Sequence, residues 1–126
     1  MPMKIMESAE DYLETILVLL KRNGNVRSID IAHEMDFSKP SVSNAMKKLR
    51  ESGYVAVDDA GRITLTDSGR QIAESVYERH TLITKVLVSL GVPEDIAKED
   101  ACHLEHRLHP ISFEKIKESY LRHTSE

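Results

Sequence analysis

The chain has 126 residues and a formal net charge of -4, enough for one domain or two small ones sharing a core and for an apolar centre without crosslinks. A single cysteine excludes an internal disulfide, and no window approaches the roughly 20 apolar residues that span a bilayer. The negative balance argues against indiscriminate nucleic-acid binding, so any DNA function rests on where the 17 Lys and Arg residues sit.

The opening Met1-Pro-Met-Lys-Ile-Met6 runs at once into Glu7, Glu10 and Asp11, without the apolar stretch of a secretory leader, so a cytoplasmic location is expected. Ala9, Leu13, Ile16, Leu17 and Leu20 recur at helical spacing and predict a first helix from about Ser8 to Arg22, ended by Asn23-Gly24. A short second helix is expected from Ser28, as cap, through Ile29, Ile31, Ala32 and Met35. After the turn Asp36-Phe37-Ser38, a third helix opens with Ser38 as cap and Lys39-Pro40 in its first turn, where proline loses no helical partner. Its inward stripe is Val42, Ala45, Met46 and Leu49, and Gly53 closes it. Two extended runs, Tyr54–Val57 and Arg62–Leu65, follow, joined by a turn ending in Gly61. Three helices and a hairpin make a winged helix-turn-helix unit.

Beyond Thr66-Asp67-Ser68-Gly69 a long helix keeps Ile72, Val76, Ile83, Val86, Leu87 and Leu90 on one stripe until Gly91. Pro93 starts another, with Ile96, Ala97, Ala101, Leu104 and Leu108 inward, broken by His109-Pro110. A last helix from about Ser112 uses Phe113, Ile116, Tyr120 and Leu121. The expected fold is mainly α with a small β-hairpin: a winged helix-turn-helix over residues 1–66 and a helical region over 67–126. Three helices are thin for an independent core, so the latter is expected to pair with a second copy.

Between Lys39 and Arg50 the third helix holds four basic residues and no acidic one. Lysine and arginine neutralise phosphates, while short polar groups near a helix start reach base edges in the major groove. The candidate contacts are Ser38, Lys39, Pro40, Ser41, Ser43, Asn44, Lys47, Lys48 and Arg50, with Arg62 on the hairpin. Asn44 is suited to a bidentate contact with adenine. A basic helix face is commonplace by itself; its place as third helix before a hairpin is what points to DNA.

Cys102, Glu105 and His106 fall along one flank of the helix from Pro93, counting 100° per residue. Thiolate, carboxylate and imidazole together suit a first-row transition ion. His80 lies on the apolar stripe between Val76 and Ile83, where an unpaired imidazole is costly. Asp11 and Glu14 stand one turn apart on the first helix. These six residues can fill one or two sites joining three helices. Each has an ordinary alternative: a hydrogen-bonded histidine, carboxylates favouring a helix N-terminal half, a cysteine packed as a small hydrophobe.

Glu10-Asp-Tyr-Leu-Glu14, Ser38-Lys-Pro-Ser-Val-Ser-Asn44, Leu65-Thr-Asp-Ser-Gly69, and Arg79-His80 with Cys102-His-Leu-Glu-His106 resemble, in this order, the diphtheria-toxin-repressor family. Its members are bacterial metal-dependent transcriptional repressors, and the nearest branch is that of the manganese-transport regulators. The resemblance implies a homodimer whose metal-loaded form binds a double-stranded palindromic operator near metal-uptake genes, with no membrane, organic substrate or catalytic residue. It implies Asp11, Glu14, His80, Glu105 and His106 as ligands of the manganese branch. Cys102 departs from that branch, which has a glutamate there, and matches the iron-responsive one; Asp11 stands where the iron branch has a methionine. The implied cofactor is Mn2+ or Fe2+, with Co2+ or Zn2+ as substitutes. Two rivals remain: a small metalloenzyme using Glu105 as base, and a winged-helix regulator answering to an organic ligand. No H-E-x-x-H motif or Gly-rich phosphate loop supports the first.

Overall fold

The computed structural model describes residues 7–124; the leader-free reading of Met1–Met6 lies outside them. Its elements follow the order α1 (Glu7–Asn23), α2 (Ser28–Met35), α3 (Lys39–Glu51), β1 (Val55–Val57), β2 (Ile63–Leu65), α4 (Asp67–Ser89), α5 (Glu94–Leu104) and α6 (Pro110–Thr124). Two compact units meet inside α4, between Ser75 and Val76.

In the N-terminal unit, α1 buries Leu13, Ile16 and Leu17 of the stripe read from the sequence, together with Tyr12 and Leu19, while Ala9 and Leu20 are only half-buried. Helix α2 is not capped by Ser28, which is already helical. Arg27 holds the cap position with extended backbone, and its N–H donates to the Asp30 carboxylate at 2.8 Å. A carboxylate in the first turn thus replaces the expected hydroxyl cap. Ser38 does cap α3, accepting from the Ser41 N–H at 3.3 Å, and Val42, Met46 and Leu49 turn inward. The strands pair antiparallel with Val55 opposite Leu65 and Val57 opposite Ile63. Val55 and Ile63 face the core, and the Ile63 N–H donates to the Val26 carbonyl at 2.7 Å, tying the hairpin to the α1–α2 loop.

The start of α4 is locked onto this hairpin. The Thr66 hydroxyl donates to the Gly53 carbonyl at 2.6 Å and accepts from the Gly69 N–H at 3.2 Å. Gly69 is buried, and a Cβ there would collide with the Tyr54 carbonyl. The first turn of α4 therefore packs against the hairpin, which is why the two units divide within α4.

In the C-terminal unit, Val76, Ile83, Ala97, Ala101 and Phe113 are buried. Ile96, Leu104 and Leu121 are not, contrary to the stripe read from the sequence: they are 47%, 40% and 50% exposed. Leu90, placed on the α4 stripe, lies past the helix end and is 76% exposed. Helix α5 stops at Leu104 rather than running to Leu108: past it the Arg107 N–H donates to the Leu104 carbonyl at 3.0 Å, a tighter turn than the α-helical one, and the Leu108 N–H reaches the same carbonyl at 3.2 Å. Pro110 then opens α6, two residues before the expected start. Among the described residues no helix is long and apolar enough to cross a membrane.

Candidate functional site

Helix α4 presents His80 and α5 presents Cys102, while Glu105 is the first residue past α5. Its N–H still donates to the Ala101 carbonyl at 2.9 Å, and its backbone keeps helical angles. The helical rotation thus carries through Glu105 and sets its carboxylate beside Cys102. The His80 Nδ1 lies 2.9 Å from Glu105 Oε2 and 3.8 Å from Cys102 Sγ. Donor atoms of these three side chains all lie within 4.8 Å of one another.

Glu105 is the one buried charged residue among those described, 1% exposed. Its Oε1 accepts no hydrogen bond, although His106 Nε2 stands 3.4 Å away. A buried carboxylate oxygen without a donor is costly and calls for positive charge. Imidazole, sulfur and carboxylate at these distances form a donor set for a first-row transition ion, softer than the all-oxygen sets of magnesium or calcium. The residues fit such an ion.

The helical triad expected of Cys102, Glu105 and His106 is thereby modified. Cys102 and Glu105 share His80, whereas His106, in the turn beyond α5, meets the other oxygen of Glu105. Its side chain is almost wholly buried. Cys102 is exposed, unlike Glu105 beside it. The inward His80 is paired, which answers the cost of placing it on an apolar stripe. Asp11 and Glu14 lie half-buried on α1 of the N-terminal unit. One neighbour of the centre has a role that residue type and spacing do not announce. Arg79 enters the sequence pattern only as the residue before His80, yet its guanidinium donates to the backbone of the turn that carries Glu105.

On the N-terminal unit, α3 divides cleanly. Ser38, Lys39, Pro40, Ser41, Ser43, Asn44, Lys47, Lys48 and Arg50 are exposed while Val42, Met46 and Leu49 are buried. Among the described residues, Lys39, Lys47, Lys48 and Arg50 have no acidic partner. Their charge is available to a polyanion. The Ser38 and Ser41 hydroxyls bond each other at 2.8 Å, so the helix start is preorganised. Arg62 is exposed at the foot of β2, beside a hairpin turn carrying Asp58 and Asp59. Asp58 is turned inward on itself, accepting from the Ala60 and Arg62 N–H groups at 2.9 Å each.

Comparison with known sequences and structures bears on both features. Residues 4–61 match the family described as iron dependent repressor, N-terminal DNA binding domain. Residues 66–125 match iron dependent repressor, metal binding and dimerisation domain. An uncharacterised HTH-type transcriptional regulator of Methanocaldococcus jannaschii is 36% identical over 113 residues, covering 88% of this chain and 90% of that one. The transcriptional regulator MntR of Escherichia coli O157:H7 is 32% identical over 102 residues, covering 81% of this chain and 66% of that one. A solved manganese-dependent transcriptional repressor in complex with manganese superposes with a TM-score of 0.80 at 32% identity, covering 88% of this chain and 51% of that one. The chain spans about half the length of that solved repressor.

Proposed function

Since the chain belongs to the iron-dependent repressor family, on its manganese-regulator-like branch, we propose that it is a metal-dependent transcriptional repressor: a cytoplasmic homodimer that binds a palindromic operator when loaded with manganese or ferrous iron, and so controls metal uptake. The observation that carries this reading is the buried, donor-poor carboxylate of Glu105 beside His80 and Cys102.

A bound divalent ion supplies positive charge and fixed directions of coordination. The remaining work belongs to the chain. His80, Cys102, Glu105 and His106 hold the ion in the C-terminal unit. The motif that includes Asp11 and Glu14 assigns these two carboxylates to the same ligand set. In this reading metal loading and operator binding by the α3 helices are one linked equilibrium. In a dimer those helices must match half-sites about 34 Å apart. Asn44 and the serines read base edges, and Lys39, Lys47, Lys48 and Arg50 neutralise phosphates. Cys102, where the manganese branch has a glutamate, draws the preference toward ferrous iron and the softer substitutes Co2+ and Zn2+. A hydrolytic role for Glu105 gives way, because the family consists of repressors.

The test is binding of a palindromic duplex library with and without Mn2+ or anaerobic Fe2+, at two salt concentrations. Metal is expected to bring on binding, and Glu14→Ala or His106→Ala to abolish the response while leaving the dimer intact. Variants that respond at wild-type metal concentrations contradict the ligand assignment.

A further inference from the structure

The backbone that carries the buried carboxylate is clasped from α4. One terminal nitrogen of Arg79, Nη1, donates to the Glu105 carbonyl at 3.0 Å and to the Leu108 carbonyl at 2.9 Å. One NH2 group, with two hydrogens, thus spans the turn that holds Glu105 and His106. The Arg79 guanidinium carbon also stands 5.3 Å from the centre of the Phe113 ring on α6, so the cation rests over an aromatic face. Carbonyls at a helix C-terminus lack intrahelical partners, and a cation there is favoured by the helix dipole. Arg79 meets both needs. It is also the chain neighbour of His80, so a single turn of α4 sets one candidate ligand directly and the turn bearing two others through their backbone.

We propose that Arg79 is a positioning residue of the metal centre: by clasping the Glu105 and Leu108 carbonyls it fixes the turn from which Glu105 and His106 reach the ion. This rests on the metal-binding reading above and adds a residue that touches no ion. Groups that orient ligands commonly change metal affinity 10- to 100-fold when replaced.

The experiment is anaerobic Co2+ titration of the full chain, followed by the thiolate-to-cobalt charge-transfer band, alongside circular dichroism and sedimentation. Wild type is expected to show the band, and Cys102→Ser to lose it. Arg79→Met is expected to bind Co2+ about 100-fold more weakly, with a weakened band, as a folded dimer. Arg79→Lys keeps the cation over Phe113 and is expected to recover part of the loss, remaining about ten-fold weaker. Should Arg79→Met not fold, Arg79→Lys alone decides by the same criterion. Wild-type affinity and spectrum in the variants overturn the proposal while leaving the metal reading intact; no Co2+ binding by wild type overturns both.

Discussion

Glu105 sends its two oxygens into different company: Oε2 meets His80, while Oε1 faces His106 without accepting a bond. A buried carboxylate in that condition is a cost to the metal-free fold and a gain once positive charge arrives. Glu105→Gln is therefore expected to melt, metal-free, no lower than wild type, and to lose the rise in Tm that Mn2+ or Co2+ gives wild type; paired thermal scans check this. Cys102 sets the kind of ion. Cys102→Glu is expected to raise affinity for Mn2+ relative to Co2+, read by competitive titration, because an oxygen donor replaces the soft sulfur. Away from the centre, Gly69 stands where a Cβ meets the Tyr54 carbonyl. Backbone yields less readily than a side chain, so Gly69→Ala is expected to cost about 1–3 kcal/mol in chemical denaturation. The candidate ligands are legible in the sequence because side-chain type and helical offset survive as pattern. The role of Arg79 is not, since its partners are main-chain carbonyls, which leave no mark on residue identity.

Among the elements, α3 is the one most fully legible beforehand. Its cap, its proline, its inward stripe and its exposed basic face all follow from local chemistry, and the structure reproduces them, with only Ala45 of the stripe left half-buried. Replacing Lys47 and Lys48 by alanine is expected to weaken all duplexes alike. The log–log salt slope is expected to flatten by about one for each phosphate left without its lysine. Asn44→Ala is expected instead to relax preference at one base pair, by about 1–3 kcal/mol. Helix α5 is less legible. Apolar periodicity carries it to Leu108, whereas the helix ends at Leu104 and a tighter turn from Arg107 onto the Leu104 carbonyl follows. Termini depend on which carbonyls find other donors, here including a guanidinium from α4, and periodicity holds no record of that.

At the scale of the molecule, the same apolar pattern misleads about burial for a reason. Leu90, Ile96, Leu104, Ile111 and Leu121 are 40–76% exposed on the C-terminal unit. Residues 66–125 match the family's metal binding and dimerisation domain, so a second copy is expected to cover part of this apolar surface. Leu90→Lys combined with Ile111→Lys is expected to shift sedimentation toward the monomer and to weaken operator binding with it. We propose that metal held around Glu105 governs the hold of α3 on DNA. The most direct measurement is fluorescence anisotropy of a duplex selected from the palindromic library, titrated with wild type and Glu105→Gln, with and without excess Mn2+ or anaerobic Fe2+. Metal is expected to tighten wild-type binding about 5- to 150-fold and to leave the variant unmoved. Superimposable wild-type isotherms with and without metal, or an equal response from Glu105→Gln, would contradict it.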